Sequence, residues 1–173
     1  MKKRIALIFI IATIAVGMGC GPKIIIPEFN TAKEQYEFAK MQKDNSLLAR
    51  KDRREERYTQ AILAFKKVIE KFPEDKQYCS VSLISIGECY YWIDKFSKSA
   101  ETYEEALKLY SNLNDIRPFA LYGVALSYDH LKEYEKAQYY YKTLLDAYEK
   151  DQRNEVQDVL KKAKAKYSKV KVK

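Results

Sequence analysis

Glycine, proline and histidine are scarce in this chain. Five Gly and four Pro in 173 residues, with no recurring alternation of β-branched residues, give few turn signals and predict an all-helical body. The single His130 excludes a multi-histidine metal site, and the chain has no phosphate-cradling glycine loop, nucleophile elbow or CxxC pair. No catalytic residue, metal ligand, cofactor or small-molecule substrate is therefore expected, and the chain reads as a non-enzyme. Adjacent Asp129 and His130 do not face each other on a helix, and Glu101, Glu104 and Glu105 read as a solvated helix face. Cysteine is also sparse. Cys79 and Cys89, ten residues apart on one expected helix, are about 15 Å apart and should not pair with each other. Cys89 reads as a small buried residue. Cys79, near the helix start, is the more exposed and the better candidate for an intermolecular bond, with packing the default for both.

Tyrosine, in contrast, is abundant at 15 residues, and its positions are regular. Leu83 to Leu107 reads as two short amphipathic helices joined by a tight turn. Leu83, Ile86, Gly87 and Tyr90 share one face of the first; Phe96, Ser99, Tyr103, Ala106 and Leu107 share one face of the second. Small Gly87 and Ser99 stand where the helices approach, with Tyr90 and Tyr103 wedged nearby. The hairpin recurs: Ala61, Ser99 and Ala137 are successive at steps of 38 residues, and Leu121, Val124, Ala125 and Tyr128 lie 38 residues after the first helix's set. A fixed period of this size marks a stacked array, in which each hairpin covers its neighbour.

These residues resemble the tetratricopeptide repeat (TPR), with Leu83, Ile86, Gly87, Tyr90, Ser99, Tyr103 and Ala106 in one repeat and Leu121, Val124, Ala125, Tyr128, Ala137 and Tyr141 in the next. The first repeat fits best through Ala61, Phe65 and Pro73. The resemblance implies a short right-handed α-α superhelix of three hairpins, at about 31–73, 77–111 and 117–149, plus a capping helix within 154–173. The period exceeds the family's usual 34 by four residues, assigned to the inter-repeat turns, 73–81 and 111–119. Such longer turns are similar to those of bacterial envelope TPR lipoproteins, the β-barrel assembly lipoprotein and the Tol–Pal coordinator.

The N-terminus agrees with an exported lipoprotein. Met1 to Arg4 is basic, Ile5 to Val16 is an apolar run too short to span a bilayer comfortably, and Gly19-Cys20 resembles a lipobox, with Gly17 where Leu is usual. Residues 1–19 are expected to be a signal peptide, Cys20 the lipid-attachment site, and 20–30 a tether. Ile24 to Ile26 either dock on the first repeat or lie near lipid. Gly21 in place of Asp is compatible with the outer membrane facing the periplasm.

Helix A of repeat 1 is predicted from Thr31, its N-cap, to about Lys43, with Ala39 as its small residue. Ala39 and Ala61 are 22 residues apart, against 12 in the later repeats, so ten residues are inserted within 44–58. Either both helices lengthen, with Leu47 and Leu48 packing at the tip, or a charged loop is solvated. Asn154 is placed as cap of the last helix, whose stripe is Val156, Val159, Leu160, Ala163 and Tyr167, with 168–173 fraying. Without its leader cations the formal charge falls from +8 to +5, and residues 154–173 alone carry a net +5. The basic character is thus a tail and not a groove; it suits anionic lipid, an acidic partner or plain solvation. Nucleic acid is not expected.

In the TPR family helix A lines a concave groove for partner proteins. The resemblance carries that role to Tyr36 and Lys40, beside Lys43, in repeat 1; to Glu88, Tyr91 and Trp92, beside Ile84, in repeat 2; and to Tyr122, Leu126, Asp129 and His130 in repeat 3. The alternative is that Tyr91, Trp92 and Tyr122 complete the packing between repeats. The expected function is a lipid-anchored interaction scaffold for other envelope proteins. Rival readings are a pilot lipoprotein of a secretion or pilus system, and an accessory subunit of an envelope enzyme.

Overall fold

Seven helices follow one another in a computed structural model that describes residues 25–170, with no strand among them. The leader, Cys20 and Ile24 lie outside the described residues. The helices are α1 (Ala32–Leu47), α2 (Arg54–Lys71), α3 (Lys76–Trp92), α4 (Phe96–Leu109), α5 (Arg117–His130), α6 (Tyr134–Tyr148) and α7 (Asn154–Val170). Each packs on its successor. In addition the backbone of α1 approaches that of α3, α3 that of α5 and α5 that of α7, whereas the backbones of α2, α4 and α6 stand apart from one another. The odd-numbered helices therefore form an inner row and the even-numbered ones an outer row, as in a helical solenoid.

The register explains this layering. Ala39, Ala61, Gly87, Ser99, Ala125 and Ala137 are all buried where paired helices approach. Ser99 Oγ donates to the Gly87 carbonyl at 2.8 Å, and Ser127 Oγ lies 2.9 Å from Ser99 Oγ and 2.8 Å from the Gly123 carbonyl. A chain of buried hydroxyls thus ties α3, α4 and α5 together, each with a partner to offset its desolvation. The turns at 93–95 and 131–133 repeat as well. Asp94 and Lys132 both take positive φ, 58° and 63°, and the amides of Lys95 and Glu133 close onto the Tyr90 and Tyr128 carbonyls at 3.0 and 2.9 Å. Neither position is glycine, so the tight turn carries no glycine signal.

The ten inserted residues are absorbed mostly as helix. Compared with α3 and α5, α1 runs three residues further past its small residue; compared with α4 and α6, α2 starts four residues earlier; the other three lie in a turn around a short 3₁₀ segment, Lys51–Arg53. Leu47 and Leu48 do not pack at this tip, being 54% and 87% exposed, because no neighbouring hairpin reaches that far. α1 accordingly ends at Leu47 and not near Lys43, while Thr31 caps it, accepting from the Glu34 amide at 3.2 Å.

Other expectations are corrected. At the first junction the four extra residues extend α3, which begins at Lys76 with Asp75 accepting from the Tyr78 amide at 3.1 Å; at the second they lie in the 110–116 turn. Asn154 is the first residue of α7, not its cap; the turn before it is held by Arg153, which donates to Asp151 and Asp115. α7 does not fray at Ser168: Val170 is buried and its carbonyl accepts from Gln138 at 3.1 Å. Cys79 is fully buried, its thiol donating to the Phe72 carbonyl at 3.1 Å; Cys89 is buried too and both are free. Glu104 is not merely solvated, because one of its oxygens accepts from the Tyr128 and Tyr140 hydroxyls, each at 2.9 Å.

The described part of the tether, residues 25–30, docks on the first hairpin. Ile26 packs on the core beside α1, and Ile25 stays exposed. Buried Gln35 accepts from the Phe29 amide and donates to the Pro27 carbonyl, both at 3.0 Å, and Lys71 donates to the Phe29 carbonyl at 2.7 Å. A single buried amide side chain thus satisfies a donor and an acceptor of the extended segment.

Candidate functional site

The inner row of helices contains a cleft of about 350 Å³ between α3, α5 and α7. Its walls come from a periodicity one residue beyond the core stripe of each inner helix. Ile84, Glu88 and Tyr91 follow one another at i, i+4 and i+7 on α3; Phe119, Tyr122 and Leu126 do the same at i, i+3 and i+7 on α5. The ring of Tyr103, from α4, lies at the base beside Gly123.

Aromatic contacts hold the α3 wall in place. Tyr91 sets its ring edge-on to Trp92, Phe96 and His130, at 5.9, 5.4 and 5.2 Å, and its hydroxyl lies 2.8 Å from His130 Nε2. His130 in turn stacks on Phe96 at 4.4 Å. Burial, with Asp129 and Asp94 nearby, raises the Tyr91 hydroxyl above its ordinary pKa and keeps it neutral. Trp92, edge-on to Tyr91, remains 47% exposed at the rim. Tyr122 packs over Tyr141 at 6.1 Å; the fully buried Tyr141 hydroxyl has no hydrogen-bond partner among the described residues.

Charge is confined to the margins. Glu88 accepts from Lys43 at 2.6 Å, so its carboxylate is neutralised across α1 and α3. Burial opposes the Lys43 charge, yet Glu88 carries its ammonium above the ordinary pKa. On the other margin stands exposed Lys162 from α7. This corrects the view of the basic tail as separate from the groove, since α7 folds back against α5 and brings Lys162 into the lining.

The predicted residues divide into two groups. Glu88, Tyr91, Trp92, Tyr122 and Leu126 come together in the cleft. Asp129 and His130 sit beside it, Asp129 near Lys166 at 3.8 Å and His130 against Tyr91. Tyr36 is taken up by packing between Phe65 and Tyr78, at 5.7 and 5.5 Å, and Lys40 is exposed away from the cleft. Phe119, Gly123, Tyr103 and Lys162 were missed. Phe119 was legible, since it continues the Tyr122–Leu126 stripe one turn earlier; Lys162 was not, because its place depends on where α7 docks.

The described residues contain no group of His, Cys, Asp or Glu arranged to hold a metal, and no helix long and apolar enough to cross a membrane. An aromatic, water-accessible cleft whose charged lining is confined to Glu88, paired with Lys43, and Lys162 suits the reception of a protein segment.

In comparisons with known proteins, a tetratricopeptide repeat model matches residues 119–151, which span most of α5, all of α6 and the turn after it. The structure resembles the TPR domain of Sgt2 from Aspergillus fumigatus, with a TM-score of 0.51 and 18% identity over 78% of this chain and 82% of that one. It also resembles the first TPR domain of human RPAP3, with a TM-score of 0.50 and 18% identity over 79% and 97% of the two chains. No curated protein matches it in sequence. Residues 119–151 therefore carry a tetratricopeptide repeat, and the described chain has the fold of TPR domains.

Proposed function

We propose that this protein is a non-catalytic scaffold of the bacterial cell envelope, anchored by lipid on Cys20 at the periplasmic face of the outer membrane, that holds a segment of a partner protein in the α3–α5–α7 cleft. The observation that carries the binding role is the cleft itself, where Trp92 stands half-exposed beside Tyr91, Tyr122 and Leu126 with no cover among the described residues. Rigid aromatic anchors in a partly desolvated pocket are the residues that dominate protein recognition. In support of the anchoring role, the docked tether leaves only five residue steps between Cys20 and Ile25, a reach of at most about 17 Å. A lipid on Cys20 therefore keeps the array close to the bilayer.

Trp92→Ala combined with Tyr122→Ala is expected to lower recovery of the partner from solubilised membranes at least about tenfold, with the helical circular dichroism signal unchanged. Undiminished recovery by a folded double variant places the contact on another surface. Separately, Cys20→Ser is expected to abolish palmitate labelling and to release the protein from washed membranes. A variant that stays labelled or bound as before rules out this anchor.

A further inference from the structure

The junction between the second and third hairpins is closed on its outer side by aromatic rings. Tyr140 of α6 stacks on Tyr128 of α5 at 6.0 Å with an interplanar angle of 12°. Both hydroxyls donate to one oxygen of Glu104 on α4, each at 2.9 Å. The Lys136 ammonium stands over the Tyr128 ring at 4.7 Å without displacing Tyr140. Tyr128 is thereby buried.

One 38-residue period earlier, at the junction between the first and second hairpins, Thr102, Tyr90, Lys66 and Lys98 stand in place of Tyr140, Tyr128, Glu104 and Lys136. Lys98 repeats the part of Lys136, over Tyr90 at 5.9 Å. Thr102 cannot repeat that of Tyr140, because it has no ring and its hydroxyl donates to the Lys98 carbonyl of its own helix at 2.7 Å. Tyr90 consequently stays partly open, beside a cleft of about 490 Å³ between α2 and α4 that is floored by Leu83 and Ile86. Four exposed charges line it, Lys66 and Lys98 against Glu101 and Glu105, so the rim is balanced and favours a neutral occupant. Lys66 holds the register of Glu104, the group that takes the hydroxyls at the closed junction. A phenol that donates to a carboxylate can equally accept from an ammonium.

We propose that this outer cleft receives a tyrosine side chain of a partner protein, stacked on Tyr90 as Tyr140 stacks on Tyr128, with its hydroxyl accepting from Lys66. The choice of tyrosine comes from the chain itself, which fills the equivalent place one repeat later with a tyrosine from the next helix. Stacking and burial of the ring supply the attraction, and the hydroxyl supplies the selectivity. The cleft lies between outer helices, so the inference rests on neither the α3–α5–α7 cleft nor the lipid anchor.

The test is ligand-observed NMR on the full-length chain carrying Trp92→Ala and Tyr122→Ala, so that the inner cleft does not contribute. N-acetyl-L-tyrosinamide is the probe and N-acetyl-L-phenylalaninamide its control. Saturation transfer to the tyrosine ring is expected, with binding about threefold tighter than the control's, a factor that one modest net hydrogen bond supplies. Lys66→Ala should remove that preference while both probes still bind. Thr102→Tyr with Lys66→Glu, which copies the Tyr140–Glu104 pair into the open junction, should melt no lower than its background and abolish transfer to both probes. Absence of transfer before these changes, equal binding of the two probes, a preference indifferent to Lys66→Ala, or a filled variant that still binds or melts lower would each overturn the proposal.

Discussion

Above about pH 10 the array is expected to unfold cooperatively while most of its buried tyrosines are still protonated. Burial raises the pKa of Tyr58, Tyr103, Tyr110, Tyr128, Tyr141 and Tyr148, all of them in the core, and pushes Tyr58 up to about 12. A raised folded-state pKa means that the native chain holds protons which the unfolded chain gives up. The stabilisation is therefore complete below the ordinary tyrosine value and is lost as pH rises toward the folded value. Each tyrosine that stays protonated costs about 1.4 kcal/mol per pH unit in that window. The nearly inaccessible Tyr58, Tyr103 and Tyr141 together give a slope of about 4 kcal/mol per pH unit, against a total domain stability of about 5–15 kcal/mol. Cys89, pushed by burial up to about 12, steepens the fall. Circular dichroism and tyrosinate absorbance followed in one alkaline titration should therefore change together for these residues. Full tyrosinate absorbance near pH 10 with helical signal retained would show that the phenols are accessible in the folded chain.

The second large effect is expected at Gly123. A Cβ built there falls 2.4 Å from two atoms of the Tyr103 ring, closer than any real contact, whereas one built at Gly87 meets the opposite edge of the same ring at 3.0 Å. Tyr103 is clamped between α3 and α5 and is 6% exposed, so its ring has little room to move. Gly123→Ala gains about 1 kcal/mol of helix propensity but overpacks a filled core, and a net loss of about 1–3 kcal/mol is expected. For a chain of this length each kcal/mol lowers the melting temperature by about 2–4 °C. Gly87→Ala should be nearly neutral, because the same propensity gain offsets a much milder contact. A double variant that also carries Tyr103→Leu should be less destabilised than the sum of its singles, since the two sites share one contact. Gly123→Ala melting at or above the parent temperature would contradict the clamp.

The contrast between these two glycines marks a boundary between reading and seeing. Gly87 was legible as a small residue at a helix crossing, because it holds a fixed place in a 38-residue register with Ala125. Gly123 lies outside the small-residue register, and only the position of Tyr103 shows why a side chain is not tolerated there. The cleft divides in the same way. Glu88, Tyr91, Tyr122 and Leu126 followed from helical spacing, but the same spacing also nominated Tyr36, which the structure commits to packing between Phe65 and Tyr78. Spacing places a residue on a face; it does not say whether a neighbour already covers that face.

The sequence by itself determined that this chain is helical, that it is a series of hairpins, and which residues tie each hairpin together. Those are local properties, set by periodicity, by small residues at crossings and by proline at helix boundaries. Tertiary structure decided the rest. It divided the inserted residues between α1, α2 and their turn, folded α7 back so that Lys162 borders the cleft, and left Met41 open while the equivalent Cys89 and Ser127 are buried. The physical reason is common to all three. Burial depends on what lies across the interface, and in an array each hairpin's neighbour is a different stretch of chain.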